Sequence, residues 1–182
     1  LDFNYSEVIK LLSDKKLIRD LQINSNTLEG YLFPETYYFF EGVDKTSVIE
    51  RLVKEHKKFW NNANLSKADS LGFTPYEIIT LASIIEGEAI YDSERSIISA
   101  VYHNRLKIGM KLQADPTVQY IIDDGPRRLL NKDLRIKSPY NTYIYQGLPP
   151  GPINSPGEQS LIAALSPQDN DYLYFVAKGD GY

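Results

Sequence analysis

The sequence predicts an α+β fold: a helix-rich domain with a small β component. Three observations predict it. Thr74-Pro75-Tyr76-Glu77 and Ser155-Pro156-Gly157-Glu158 both read as capping boxes with proline at the first helical position. Two runs rich in aromatic and branched residues, 28–40 and 172–176, read as extended structure. The helices outnumber the strands and do not alternate regularly with them, which favours α+β over a regularly wound α/β layout.

The elements follow in order. Residues 5–13 predict a short helix with Val8, Ile9, Leu11 and Leu12 apolar. Residues 28–40 predict extended structure broken at Pro34, because proline demotes a strand to an edge or a bend. Residues 45–62 predict an amphipathic helix with Val48, Ile49, Leu52, Val53 and Phe59 on one side and lysines on the other. The helix opened by Thr74 runs through Ile78, Leu81, Ala82 and Ile85 to about residue 90. Asp92 is the expected cap of a helix over 93–107, which Gly109 ends. A short helix is expected over 116–123, whereas 124–146 show no clear pattern. The last helix carries Leu161, Ile162, Ala164 and Leu165, and Tyr172-Leu173-Tyr174-Phe175-Val176 reads as a buried strand.

Composition narrows the function classes. A chain of 182 residues with 42% apolar content can build one substantial core. It has 14 tyrosines, a side chain that joins apolar area to a hydroxyl and suits sugar or peptide surfaces. The net charge is −4 and no basic stripe appears, which argues against nucleic acid as a partner. Without cysteine there is neither a disulfide nor a Cys-based zinc site; His56 and His103, the two histidines, could make a metal site with one nearby Asp or Glu, but nothing in their spacing suggests it. No run of about 18 apolar residues exists, so no membrane span is expected in this chain.

Three constellations could carry chemistry. In Ser83-Ile84-Ile85-Glu86-Gly87-Glu88, two carboxylates follow an apolar helix. Residues two apart differ by roughly 200° around a helix, so Glu86 and Glu88 cannot act as a facing pair. Desolvation beside apolar residues would raise the pKa of whichever one faces a cleft and suit it to general-acid work. In Leu112-Gln113-Ala114-Asp115-Pro116-Thr117, Gln113 could hydrogen-bond a ligand, while Asp115 reads as a capping residue. Finally, Ser138-Pro139-Tyr140-Asn141-Thr142-Tyr143 precedes a loop, 147–157, that packs four prolines and three glycines into eleven residues. Such a shaped backbone beside tyrosines could wall a binding groove. Arg105, on the helix after the glutamates, reads as a structural ion-pairing residue.

Four blocks together resemble the MltG/YceG-like family of endolytic murein transglycosylases. They are Leu28-Glu29-Gly30-Tyr31-Leu32-Phe33-Pro34-Glu35-Thr36-Tyr37; Leu81-Ala82-Ser83-Ile84-Ile85-Glu86-Gly87-Glu88; Asn104-Arg105-Leu106 through Leu112-Gln113-Ala114-Asp115-Pro116-Thr117-Val118; and Ser138 through Pro156. The match spans nearly the whole chain in order. It implies one catalytic domain over 1–182, divided, if at all, into a small subregion at 1–45 and a catalytic core at 46–182. It implies peptidoglycan glycan strands as substrate, cell-wall synthases as candidate partners, and no cofactor or metal. It also implies a cell-envelope location at the outer face of the cytoplasmic membrane, in a parent protein with an N-terminal anchor and a LysM-like domain. By resemblance Glu88 is the catalytic acid/base. Glu86, Gln113, Tyr140, Asn141 and Tyr143 are the expected substrate-binding residues. Family members commonly carry lysine where this chain has Gly87.

The alternative reading is a non-catalytic peptidoglycan-binding or scaffold module. The family has also been labelled aminodeoxychorismate lyase-like. Pyridoxal phosphate chemistry would need a Schiff-base lysine and a phosphate cup, and no such cup or lysine stands out.

Overall fold

A computed structural model of the chain describes residues 4–125 and 127–176. Among them are eight α-helices: α1 (Tyr5–Leu12), α2 (Lys15–Asp20), α3 (Lys45–Phe59), α4 (Asn62–Ser70), α5 (Pro75–Glu88), α6 (Asp92–Lys107), α7 (Asp115–Gln119) and α8 (Glu158–Leu165). A 3-10 turn covers Asp133–Arg135. No strand occurs among the described residues, so the expected β component is absent and the fold is helical.

The two runs read as strands are extended but unpaired. Residues 28–40 are held by contacts to other segments, such as the Leu28 amide on the Leu12 carbonyl (2.9 Å) and the Leu32 amide on the Ser155 hydroxyl (3.3 Å). In 171–176 the burial alternates, with Leu173 and Phe175 turned inward and Tyr172, Tyr174 and Val176 exposed. This is a strand's period without a partner strand. Arg105 Nε donates to the Leu173 carbonyl (2.7 Å), and the Phe175 ring meets Tyr102 edge-on.

Helix α5 organises the core. Its capping box at Thr74 and Glu77 forms as the sequence predicts. Every residue from Ile78 to Ile85 is buried, so the helix is enclosed on all sides rather than amphipathic. It packs against α4, α6, α7 and α8. The same core takes in Leu17 and Ile18 of α2, Leu28, Tyr31 and Phe33 of the extended segment, and Ile49, Val53 and Phe59 of α3.

Some boundaries differ for identifiable reasons. Helix α3 stops at Phe59, and Asn61 then caps the separate α4 by accepting from the Asn64 amide. Asp92 opens α6 as its first residue and binds Arg95 instead of capping. The second capping box does not form. Helix α8 starts at Glu158, and the Ser155 hydroxyl accepts from Leu32 instead.

Gly30 is where the extended segment meets the proline-rich loop. Its φ is +87°, and a Cβ there would lie 2.5 Å from Pro152 Cγ and 2.8 Å from Ile79 Cγ2. Gly30→Ala should therefore lower unfolding free energy by roughly 2–4 kcal/mol, combining left-handed strain with overpacking. Urea denaturation of the two proteins measures this.

Candidate active site

The buried stretch of α5 ends at Ile85, and the next three residues emerge at the surface. Glu86 and Glu88 leave the helix in different directions, as their spacing requires. Glu86 turns toward α8. Its Oε2 accepts from the Gly157 amide (3.0 Å) at the N-cap of that helix and pairs with Arg95 (3.3 Å). Arg95 also binds Asp92 and Ser160. Glu86 thus spends its charge on a helix start, where a negative group is favourable, and its cation is Arg95.

Glu88 faces the other way, into an open cleft of about 590 Å³ lined by Gly87, Asp115, Pro116, Gln119, Tyr120, Ile153 and Asn154. Burial pushes its pKa up to about 7, and the charge of Asp115 adds to the rise. Two groups of α6 oppose it: the Tyr102 hydroxyl, placed to donate to the carboxyl, and the Arg105 guanidinium. Glu88 is also the last residue of its helix, where the backbone dipole disfavours an anion. Its buried Oε2 has no hydrogen-bond partner among the described residues. A carboxyl with its pKa raised to near neutrality beside an open cleft can give a proton to a leaving group and take one back.

Gly87 brings α7 close. A Cβ at this position would sit 2.7 Å from Pro116 Cβ. What approaches the glycine is the chain's own α7, and this contact sets Asp115 beside Glu88. Asp115 does not cap α7, whose N-cap is Ala114. Instead its Oδ1 accepts from the Tyr143 hydroxyl at 2.5 Å. Thr142 pins this arrangement from below, accepting from the Ala114 amide (3.0 Å) and pairing with the Thr117 hydroxyl (2.9 Å).

The loop 147–157 forms one wall, and it is clamped to α5 through a buried serine. Ser83 Oγ accepts from the Ile153 amide (3.0 Å), and the Ser83 carbonyl accepts from Asn154 Nδ2 (2.8 Å). Arg105 is buried and works as a strut. It donates to the carbonyls of Leu112 (2.5 Å) and Leu173 and lies over the Tyr174 ring, with no carboxylate ion pair among the described residues.

The other expected residues divide. Tyr143 is joined to the cleft through Asp115. Tyr140 packs against Tyr120, a cleft residue, with ring centroids 4.9 Å apart. Asn141 is fully buried and spent on the backbone: it donates to the Leu134 and Ile136 carbonyls and accepts from the Tyr143 amide. Gln113 is exposed with a left-handed φ of 50° and does not line the cleft. The two histidines lie apart from the glutamates. His56 is buried among Tyr31, Phe33 and Trp60, which pushes its pKa down to about 4, and His103 bonds the Ala164 carbonyl. No cluster of three potential metal ligands occurs among the described residues. Sequence reasoning missed Asp115, Gln119, Tyr120, Ile153 and Asn154 as lining residues of the cleft, and the buried Tyr102 that faces Glu88 from α6. Only Asp-Pro at a helix start offered a signal, and it reads equally well as a cap.

A model of the YceG-like family matches residues 2–182. The chain belongs to the YceG-like family. It is 39% identical over 194 aligned positions to an endolytic murein transglycosylase of Bacillus subtilis, covering 98% of this chain and 54% of that protein. A Streptococcus pneumoniae protein of the same name is 36% identical, covering 82% of this chain and 28% of its own length. The crystal structure of a yceG-like protein from Listeria monocytogenes superimposes with a TM-score of 0.87 at 35% identity, covering 97% of this chain and 62% of that one. The chain thus spans about half the length of the Bacillus relative.

Two outcomes follow for this YceG-like domain. Gly87→Ala improves helix propensity by about 1 kcal/mol, but the rigid Pro116 ring turns that gain into a clash of roughly 1–3 kcal/mol. The melting temperature should fall, not rise. For Glu88, the folded pKa of about 7 lies above the ordinary value of 4.5. Its contribution to stability is therefore fully present below pH 4.5 and is lost as pH rises through 7. Glu88→Gln removes that loss, so the variant should melt higher than the parent at pH 8 and no higher at pH 4.5. Thermal scans at the two pH values check the sign.

Proposed function

We propose that this domain is the catalytic part of an endolytic murein transglycosylase, with Glu88 as its single acid/base. The observation that carries the reading is the Glu88 carboxyl at the edge of an open cleft, desolvated so that its pKa rises to about 7 and a large fraction stays protonated near neutrality. The names of the related proteins supply the reaction class and the substrate, the glycan strand of peptidoglycan.

Glu88 gives its proton to the oxygen joining N-acetylmuramic acid to N-acetylglucosamine. The bond breaks and positive charge develops at the muramic acid C1. The carboxylate then takes the proton of that sugar's C6 hydroxyl, whose oxygen closes onto C1 as a 1,6-anhydro ring. Water is not consumed, so no second base has to activate it. This separates the reaction from ordinary two-carboxylate hydrolysis and agrees with the divergent directions of Glu86 and Glu88. Tyr143 and Tyr140 are proposed to contact the sugars beside Tyr120. Gln113, exposed and outside the lining of the cleft, is proposed as a peripheral contact. Glu86 and Asn141 are proposed to support binding indirectly, by holding α8 and the Tyr143 loop. The reading places the domain in the bacterial cell envelope, where its polymer substrate lies, with cell-wall synthases as candidate partners. No described helix is long and apolar enough to cross a membrane.

Mass spectrometry of muropeptides from uncrosslinked glycan strands tests the reading. The unmutated domain should release anhydro-muramyl ends, one water lighter than hydrolytic ends, and Glu88→Gln should release none while keeping its fold. Reducing ends would mean a hydrolase, and equal activity of the variant would remove Glu88 from the chemistry. The kcat/KM profile should fall above pH about 7, as Glu88 loses its proton.

A further inference from the structure

A second carboxylate faces the cleft and has no task in a single-acid scheme. Asp115 is exposed at the first turn of α7, yet it makes no capping bond there. Its side-chain partner among the described residues is the Tyr143 hydroxyl on Oδ1, and Asp115 itself lines the cleft. The site is built to hold it. Thr142 and Thr117 fasten the start of α7, and Pro116 sits against Gly87.

The charged and titratable groups around Glu88 come from every side. Helix α7 supplies Asp115, α6 supplies Tyr102 and Arg105, and the loop after the 3-10 turn supplies Tyr143. On α5 itself, Glu86 is turned to Arg95. The Arg105 guanidinium donates to two carbonyls and forms no ion pair with Asp115 among the described residues. No ion pair neutralises Asp115 among the described residues, and its charge and the opposing charge of Arg105 both act on Glu88.

Resting on the reading of Glu88 above, we propose that Asp115 is a second catalytic carboxylate, whose negative charge stabilises the cationic C1 of the muramic acid. Asp115 makes and breaks no bond. The C1–oxygen bond to the leaving sugar breaks, the C6 oxygen bonds C1, and both proton transfers run through Glu88. In the resting site, two neighbouring carboxylates resist ionising together, so Asp115 helps keep Glu88 protonated. As Glu88 releases its proton, positive charge grows between the two groups and relieves their repulsion. That attraction exists in the transition state and not in the ground state, which is the condition for raising kcat. Tyr143 is the positioning residue that aims Asp115.

Asp115→Asn tests this, because the amide keeps the shape and can still accept from Tyr143. The expected result is a loss of about 100-fold in kcat, with an unchanged melting temperature. In substrate-free protein, ¹³C NMR should show the Glu88 carboxyl titrating below its parent value of about 7. The alkaline limb of kcat/KM should move down with it. Tyr143→Phe keeps the charge and frees its anchor, so kcat should fall less while Glu88 still titrates high. Unchanged kcat and Glu88 titration in Asp115→Asn would overturn the proposal. So would an activity loss that follows unfolding while the Glu88 titration stays put. Absence of anhydro ends from the unmutated domain would overturn both readings, whereas a normal parent with an indifferent Asp115→Asn overturns this one alone.

Discussion

The structure depends on one helix that is apolar on every side. From Ile78 to Ile85 no residue of α5 reaches solvent, so the chain must surround it. Helices α4, α6, α7 and α8 do so, together with segments that have no regular structure of their own. An enclosed helix has only its ends in contact with water. The C-terminal end is where Glu86, Gly87 and Glu88 emerge, and that is why the candidate chemistry is found there.

Burial and electrostatics then separate two glutamates that look alike in the sequence. One reaches an amide and an arginine, and its charge is matched. The other meets apolar surface, a helix C-terminus and a second carboxylate, and its charge is opposed. A group whose ionisation is opposed weakens the fold near neutral pH while being ready to donate a proton. Stability and acid function draw on the same environment in opposite directions.

The walls of the cleft come from irregular backbone. Loops need partners for their amides and carbonyls, and here side chains of the motif blocks provide them. Ser83, Ser155 and Thr142 each satisfy backbone groups far away in sequence, and Asn141 satisfies the carbonyls of the turn just before it. Polar residues that look like ligand binders are therefore partly structural, Asn141 most clearly. Close packing does the rest, with two glycines receiving prolines from other segments.

Apolar periods in the sequence determined the helices α1, most of α3, α5, α6 and α8, and the capping box fixed the start of α5 but not that of α8. The order of the motif blocks determined the family, and helical spacing alone determined that Glu86 and Glu88 diverge. Strand-like composition at 28–40 and 172–176 misled, because β-propensity describes a half-buried extended surface and a strand also needs a neighbour. Whether one exists is a tertiary fact. The same holds for the site. Which glutamate is desolvated, that Asp115 leaves its cap for Tyr143, and that Pro116 fills the space above Gly87 all depend on contacts between residues far apart in the chain. No local pattern encodes them, because pKa values and close approaches are set by what surrounds a residue in space, and only the folded core decides that.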